Sequence, residues 1–171
     1  MRPSFFTRAL LSLGLGLALA LAPHPALAVQ AGETPVIQGW TLAGAPFDLA
    51  ALRGKVVLVL FWSTDCAVCR DKMPELRANA QGWQGKPFEL VSISFDRREQ
   101  DAQDHEKLVA TLVPTSQRFA ALWSGNPAFK GNAVRPAQLP TAWLLDKSGK
   151  LVETWTGRIP AEAWDKIADL L

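Results

Sequence analysis

The hydrophobic pattern of the chain changes period several times, and each change marks an element. Residues 55–62, Lys-Val-Val-Leu-Val-Leu-Phe-Trp, form an almost unbroken apolar run rich in β-branched side chains, the pattern of a strand buried on both faces. From Cys66 the period turns helical. Met73, Leu76 and Ala80 fall on one face, Pro74 lies inside, and Gly82 is a stop, so a kinked helix is predicted over 66–81. Residues 88–95 alternate and predict a second central strand, ended by Asp96-Arg97-Arg98-Glu99. Residues 100–112 read as a polar helix with an apolar edge of Leu108, Val109 and Leu112. The stretch 114–135 carries the weakest pattern: Phe119 to Trp123 suggests a short helix, and Gly125, Pro127, Gly131 and Asn132 suggest a long loop. Residues 141–145 predict a strand and Asp146-Lys147-Ser148-Gly149 a turn. Residues 150–156 follow as its hairpin partner, with Leu151, Glu153 and Trp155 alternating against Val152 and Thr154. Pro160 opens a last helix at its first position, with Trp164, Ile167, Ala168 and Leu171 at helical spacing. Upstream, residues 36–48 hold Trp40, Leu42, Phe47 and a Gly44-Ala45-Pro46 turn, the pattern of a short hairpin, and Asp48 to Gly54 reads as one capped helical turn. This order predicts an α/β fold, a central mixed β-sheet flanked by helices with an N-terminal hairpin extension.

The first 28 residues stand apart. Arg2 and Arg8 precede an apolar run from Ala9 to Ala22, Pro23 and Pro25 end it, and Ala26-Leu27-Ala28 fits a small-x-small cleavage site. The run is about 14 residues, short of the roughly 20 needed to span a bilayer. The expectation is a cleaved secretory signal over 1–28, a leader over 29–35 and one domain over 36–171, and hence a periplasmic protein. An uncleaved signal would leave it membrane-anchored. Removing Arg2 and Arg8 leaves 16 basic and 16 acidic residues. The basic balance of the whole chain therefore belongs to the signal, and the domain has no electrostatic footprint for nucleic acid.

The candidate chemistry lies between the first strand and the first helix. Phe61-Trp62-Ser63-Thr64-Asp65-Cys66-Ala67-Val68-Cys69 contains both cysteines of the chain. A helix N-terminus carries unpaired N–H groups and partial positive charge, which stabilise a thiolate and make it a nucleophile near neutral pH. An exported chain could use the pair as a structural disulfide. A bridge closing so short a loop removes little entropy from the unfolded state, however, and suits a bond that opens and closes.

The Phe-Trp-x-x-x-Cys-x-x-Cys run, the helical Pro74, and Leu139-Pro140-Thr141 ahead of an Asp-x-x-Gly hairpin together resemble the thioredoxin superfamily. The Gly54-Lys55 lead-in, the signal, and Thr141 to Val152 are similar to its exported TlpA/ResA/CcmG-type thiol:disulfide oxidoreductases. The likeness covers about residues 36–171 and implies a thioredoxin-like fold. It also implies roles. Cys66 would be the exposed attacking thiol and Cys69 the buried resolving thiol. Pro140 would be a cis-proline beside them, and the peptide groups of Leu139 would pair with a bound partner. Trp62 would pack under the site, and Ala67 and Val68 would tune and border it. The chemistry implied is disulfide exchange with cysteine-containing protein substrates, with apocytochrome c as one candidate. A membrane electron-donor protein would recharge the pair. The protein would act as a monomer with no cofactor or metal beyond the redox-active disulfide. Three positions depart from the family pattern. Asp65 precedes the first cysteine and opposes a thiolate, against the helix dipole, Arg70 and Lys72. Ala67-Val68 replaces Gly-Pro. Leu60 and Lys72 occupy the positions where relatives place a proton-accepting acid.

Competing readings are weaker. Cys-x-x-Cys is half of a zinc site, yet the domain offers one histidine, His105, in a polar helical stretch where it reads as a solvated surface residue. Ser63 stands where peroxiredoxins place Thr, but Val59 replaces their Pro. The chain has seven tryptophans. Most read as core, while Trp40, Trp83 and Trp123 could line a partner groove. Arg97-Arg98 reads as a solvated strand end. The remaining alternative is a binding module without redox turnover on the same scaffold.

Overall fold

The structure is a computed structural model and describes residues 29–171. The expected signal over 1–28 lies outside the described residues. Along the chain run β1 (Ile37–Trp40), β2 (Pro46–Asp48), β3 (Val56–Trp62), α1 (Ala67–Gly82), β4 (Phe88–Ser94), α2 (Glu99–Leu112), β5 (Ala120–Trp123), β6 (Lys130–Gly131), β7 (Thr141–Leu145), β8 (Leu151–Thr156) and α3 (Glu162–Leu170).

All seven residues of β3 are buried, because β3 is the middle of a five-stranded sheet ordered β5-β4-β3-β7-β8. It pairs in parallel with β4 and antiparallel with β7, and β4 pairs in parallel with β5. The crossover helices α1 and α2 make the two parallel pairings possible. Alternate residues of β3 enter different cores. Leu58, Leu60 and Trp62 pack with Cys69, Met73 and Leu76 of α1 and with Ala163 and Ile167 of α3. Val57, Val59 and Phe61 pack on the other face with Val91, Ile93, Leu122, Trp143 and Leu145, and with Ile37 and Leu49 of the N-terminal segment. The face that carries no crossover helix is therefore covered by the expected hairpin, β1–β2, which β6 extends to three strands. Asp48 caps the turn that follows: its Oδ1 accepts from Ala50 N at 2.9 Å. The hairpin bend uses Gly44 at φ +83°, a conformation that glycine reaches without a Cβ clash. Among the described residues no helix is long and apolar enough to cross a membrane.

Several elements differ from the sequence pattern, each for a tertiary reason. Residues 120–123 are a strand instead of a helix. Their backbone is taken up by β4, with Val91 opposite Ala120 and Ser94 opposite Trp123, and this pairing overrides the helical preference of Ala-Ala-Leu. In α2 the inward residues are Ala102 and Val109, while Leu108 and Leu112 stay 55% and 70% exposed. The last helix begins at Glu162 instead of Pro160, and Ala163 and Ile167 are its buried residues while Ala168 is exposed. A register shift at Leu144/Leu145 breaks the alternation of β8, so Val152 and Trp155 both pack on the α1 side. Trp83 packs on Phe88 and Trp164, with ring centroids 4.9 and 5.6 Å away. Trp123 donates from Nε1 to Asp96 O at 2.9 Å. Of the three tryptophans proposed for a groove, Trp40 alone is exposed, at 50%.

Candidate active site

The two cysteines sit where β3 hands over to α1. Cys66 is the N-cap of the helix, with extended backbone (φ −85°, ψ 100°). Its Sγ accepts from the Cys69 backbone N–H at 3.2 Å, which pairs one of the donors that every helix start leaves open. Its carbonyl accepts from Arg70 N at 3.1 Å. Cys66 and Cys69 are joined as a disulfide, with sulfurs 2.13 Å and Cα atoms 5.2 Å apart. The two differ in exposure: Cys66 is half-buried, and Cys69 is fully buried against Trp62 and Met73 in the α1 core. Ala67 and Val68, on the first turn, are exposed.

On the adjoining strand, β7 runs antiparallel to β3 with Thr141 opposite Phe61. One residue further along the two strands stand Pro140 and Trp62. The Leu139–Pro140 peptide bond is cis. Pro140 is buried and Leu139 is half-buried, packed against both cores. The segment leading to it borders a cavity of about 280 Å³ walled by Val134, Arg135, Pro136, Trp143 and Thr156, which includes neither cysteine.

The loop between β3 and Cys66 is held from three directions. Asp96, 9% exposed, accepts through Oδ1 from Thr64 N and Thr64 Oγ1, each at 2.8 Å, and through Oδ2 from Ser94 Oγ at 2.6 Å. Arg70 reaches back from α1 and donates from Nη1 to Thr64 O. Ser63 donates from Oγ to Asp65 Oδ1. That last bond, joined by the charges of Arg135 and Arg97, holds the exposed Asp65 carboxyl below its ordinary range. Asp65 is thus ionised near Cys66, as the sequence implied, but its charge is countered locally. Lys72 pairs with Glu75 at 2.5 Å.

His105 is where the structure departs most from the sequence reading. It is half-buried instead of solvated, and its ring meets that of Trp62 edge-on at 4.6 Å between centroids. Burial, and next the charge of Arg77, push its pKa below the ordinary 6.5, so the neutral imidazole is the favoured form beneath the site. Its neighbour Glu106 is pushed the other way by burial, toward the protonated acid. Among the described residues, Trp62 Nε1 and Arg77 Nε are both buried without a protein hydrogen-bond partner, and both residues line the same small void as Ser92, His105 and Glu106. The α2 helix reads as polar because Asp101, Asp104 and Glu106 surround His105 in sequence. The turn that His105 occupies nevertheless faces Trp62.

Asp96, Thr64 and Arg135 were not singled out by sequence. A signal existed for Asp96: it follows the carboxyl end of a strand parallel to β3, and in open α/β sheets functional groups gather at those ends. Arg135 lies in the segment whose pattern is weakest.

Chemically, the arrangement pairs one sulfur that a partner can reach with a second, buried sulfur one turn away that can close on it. Comparison with known proteins agrees. The AhpC/TSA family profile matches residues 29–161. The thiol-disulfide oxidoreductase ResA of Bacillus cereus is 30% identical over 116 residues, 68% of this chain and 63% of that protein. The match thus spans a little under two thirds of that relative's length. The thioredoxin-like protein YneN of Bacillus subtilis is 25% identical over 130 residues, 76% of this chain and 73% of that protein. A thiol:disulfide interchange protein of the thioredoxin family from Chlorobium tepidum superposes with a TM-score of 0.65 at 23% identity, covering 82% of this chain and 96% of that one, which shows the fold. On these grounds the chain, a thioredoxin-like α/β domain with a Cys-x-x-Cys pair at the start of its first helix, belongs to the AhpC/TSA family.

Proposed function

We propose that this protein is an exported thiol:disulfide oxidoreductase that reduces disulfides in other proteins through Cys66 and Cys69. The observation that carries the reading is the asymmetry of the pair: a half-buried sulfur at the helix N-cap and a fully buried sulfur bonded to it. In the reduced protein, the Cys66 thiolate attacks one sulfur of the partner's disulfide. That S–S bond breaks, a mixed disulfide forms, and the departing partner thiolate takes up a proton. The Cys69 thiolate then attacks Cys66 Sγ. The Cys66–Cys69 disulfide forms as the mixed disulfide breaks, the second partner sulfur leaves as a thiolate and takes up a proton, and two electrons have passed to the partner. Leu139 and Pro140 border the bound segment, with Ala67 and Val68 on the other side and Trp62 as the floor.

The basic start and the apolar run over 9–22 support export to the periplasm, with membrane anchoring if the segment 1–28 is retained. There a membrane electron-donor protein would restore the dithiol. Cysteines of apocytochrome c are a candidate substrate by the resemblance to exported TlpA/ResA/CcmG-type proteins alone.

The test is Cys69→Ser. Attack by Cys66 still occurs but resolution does not, so mixed disulfides through Cys66 accumulate and dissolve on reduction. A partner retained without a covalent bond would instead support a binding module. The reduction potential gives the direction: about −270 mV fits a reductase and about −120 mV an oxidant.

A further inference from the structure

Three arginines act on the Thr64-Asp65 loop that leads into Cys66, each from a different segment. Arg70 lies on the first turn of α1, Arg97 follows β4, and Arg135 precedes β7; all three are exposed. Two of them are held in place. Arg70 donates from Nη1 to Thr64 O, two residues before Cys66. Arg135 donates from Nη1 to Phe95 O at 2.6 Å, and its guanidinium carbon lies 5.7 Å from the centre of the Phe95 ring. A guanidinium carries five N–H donors, so each keeps donors for a ligand.

Among the described residues, none of the three is in an ion pair, whereas Arg98, next to Arg97, is bound to Asp101 and Lys72 to Glu75. The nearby acids offset them only in part at the surface. Asp65 is one carboxylate, and both Arg135 and Arg97 act on it. Asp71 is exposed on α1. Asp96 is buried and occupied by Thr64 and Ser94. Three exposed guanidinium groups thus stand against two exposed carboxylates, Asp65 and Asp71, so the exposed charge here is positive by one on a domain with equal numbers of acidic and basic residues. Exposed apolar side chains adjoin these arginines in the chain: Ala67 and Val68 (39%) ahead of Arg70, and Val134 (52%) ahead of Arg135.

We propose that this arginine rim selects partner segments whose reacting cysteines are flanked by acidic residues. The proposal rests on the exchange activity above and narrows its substrate class. The partner's aspartate or glutamate side chains meet Arg70, Arg97 and Arg135 while its sulfur meets Cys66. Exposed charge pairs each change binding by roughly 1.4- to 5-fold, so three acting together give a preference on the order of tenfold. Such contacts act mainly on association and weaken as salt shortens the range of the field.

The experiment compares the reduced protein against three oxidants: a cystine peptide flanked by aspartates, the same peptide flanked by lysines, and neutral 2-hydroxyethyl disulfide. The acidic peptide is expected to be reduced about tenfold faster than the basic one at low salt. The ratio should approach one near 1 M NaCl, and the double substitution Arg97→Glu/Arg135→Glu should lower or invert it. Equal rates for the two peptides while the neutral disulfide is reduced would overturn the rim and leave the exchange activity standing. A ratio unaffected by salt and by the double substitution would also overturn it. No reaction with any of the three would overturn the exchange reading itself, and this proposal with it.

Discussion

Asp96 holds Thr64: one carboxylate oxygen accepts from both the backbone N–H and the hydroxyl of Thr64, at 2.8 Å each, across 32 residues of sequence. The other oxygen accepts from Ser94. The loop that presents Cys66 is thereby fastened to the end of the neighbouring parallel strand. Its position does not depend on the disulfide alone.

Substituting Asp96→Ala removes this acceptor and leaves the part-buried Thr64 amide unpaired. The cost is expected to be about 1–3 kcal/mol of folding stability, and more than for Asp96→Asn, which keeps one carbonyl acceptor. Removing the charge also favours the Cys66 thiolate, so alkylation of reduced Asp96→Asn at neutral pH should be faster than in the parent. Denaturant unfolding and iodoacetamide kinetics read the two effects separately. Unchanged stability in the alanine variant would show that the contact does not hold the loop.

His105 makes stability depend on pH with a definite sign. Its folded pKa lies below the ordinary 6.5, mainly through burial, with Arg77 and Arg70 adding to the shift and Asp96 opposing it. The unfolded chain therefore takes up the proton first, and stability is lost as pH falls from about 6.5 toward the folded value. Glu106, pushed above its ordinary 4.5 by burial against the pull of Arg118 and Arg77, has the opposite sign: its contribution is present at low pH and lost as pH rises through the raised value. His105→Phe keeps a ring against Trp62 and removes the first effect. Its melting temperature should vary less with pH below about 6.5 than that of the parent, and parallel curves would sink the assignment.

Leu76 and Leu112 test which apolar positions build the core. Leu76 is fully buried on α1 and Leu112 is 70% exposed on α2. Leu76→Ala is expected to cost about 2–5 kcal/mol, and Leu112→Ala to stay within about 0.5 kcal/mol. Comparable losses for the two in urea denaturation would contradict this packing.

Gly131 has φ +153°, and a Cβ there would lie 2.0 Å from Val36 O, on the residue just before β1, with which it pairs through Ile37. Gly131→Ala should separate β6 from β1 at a cost of about 1–3 kcal/mol. A melting temperature equal to the parent's would show that this edge pairing contributes nothing.

The sequence by itself determined the features that depend on neighbours a few residues apart. Period alone identifies β3, because seven consecutive buried positions admit no polar face. Cap and turn chemistry alone locate the Asp48 turn, and the short spacing of Cys66 and Cys69 places both sulfurs within one helical turn. Tertiary structure decided what depends on distant partners. Residues 120–123 are a strand because β4 offers an edge. His105 is half-buried because its helix is laid over Trp62, which no local pattern encodes. Asp96, Arg97 and Arg135 reach the cysteine loop because the parallel sheet and the segment before β7 bring residues 30 to 70 positions apart together. The cysteine pair was legible because its spacing and its place at a helix start are local. The charges and contacts around the loop that presents Cys66 were not, because they come from other strands and loops.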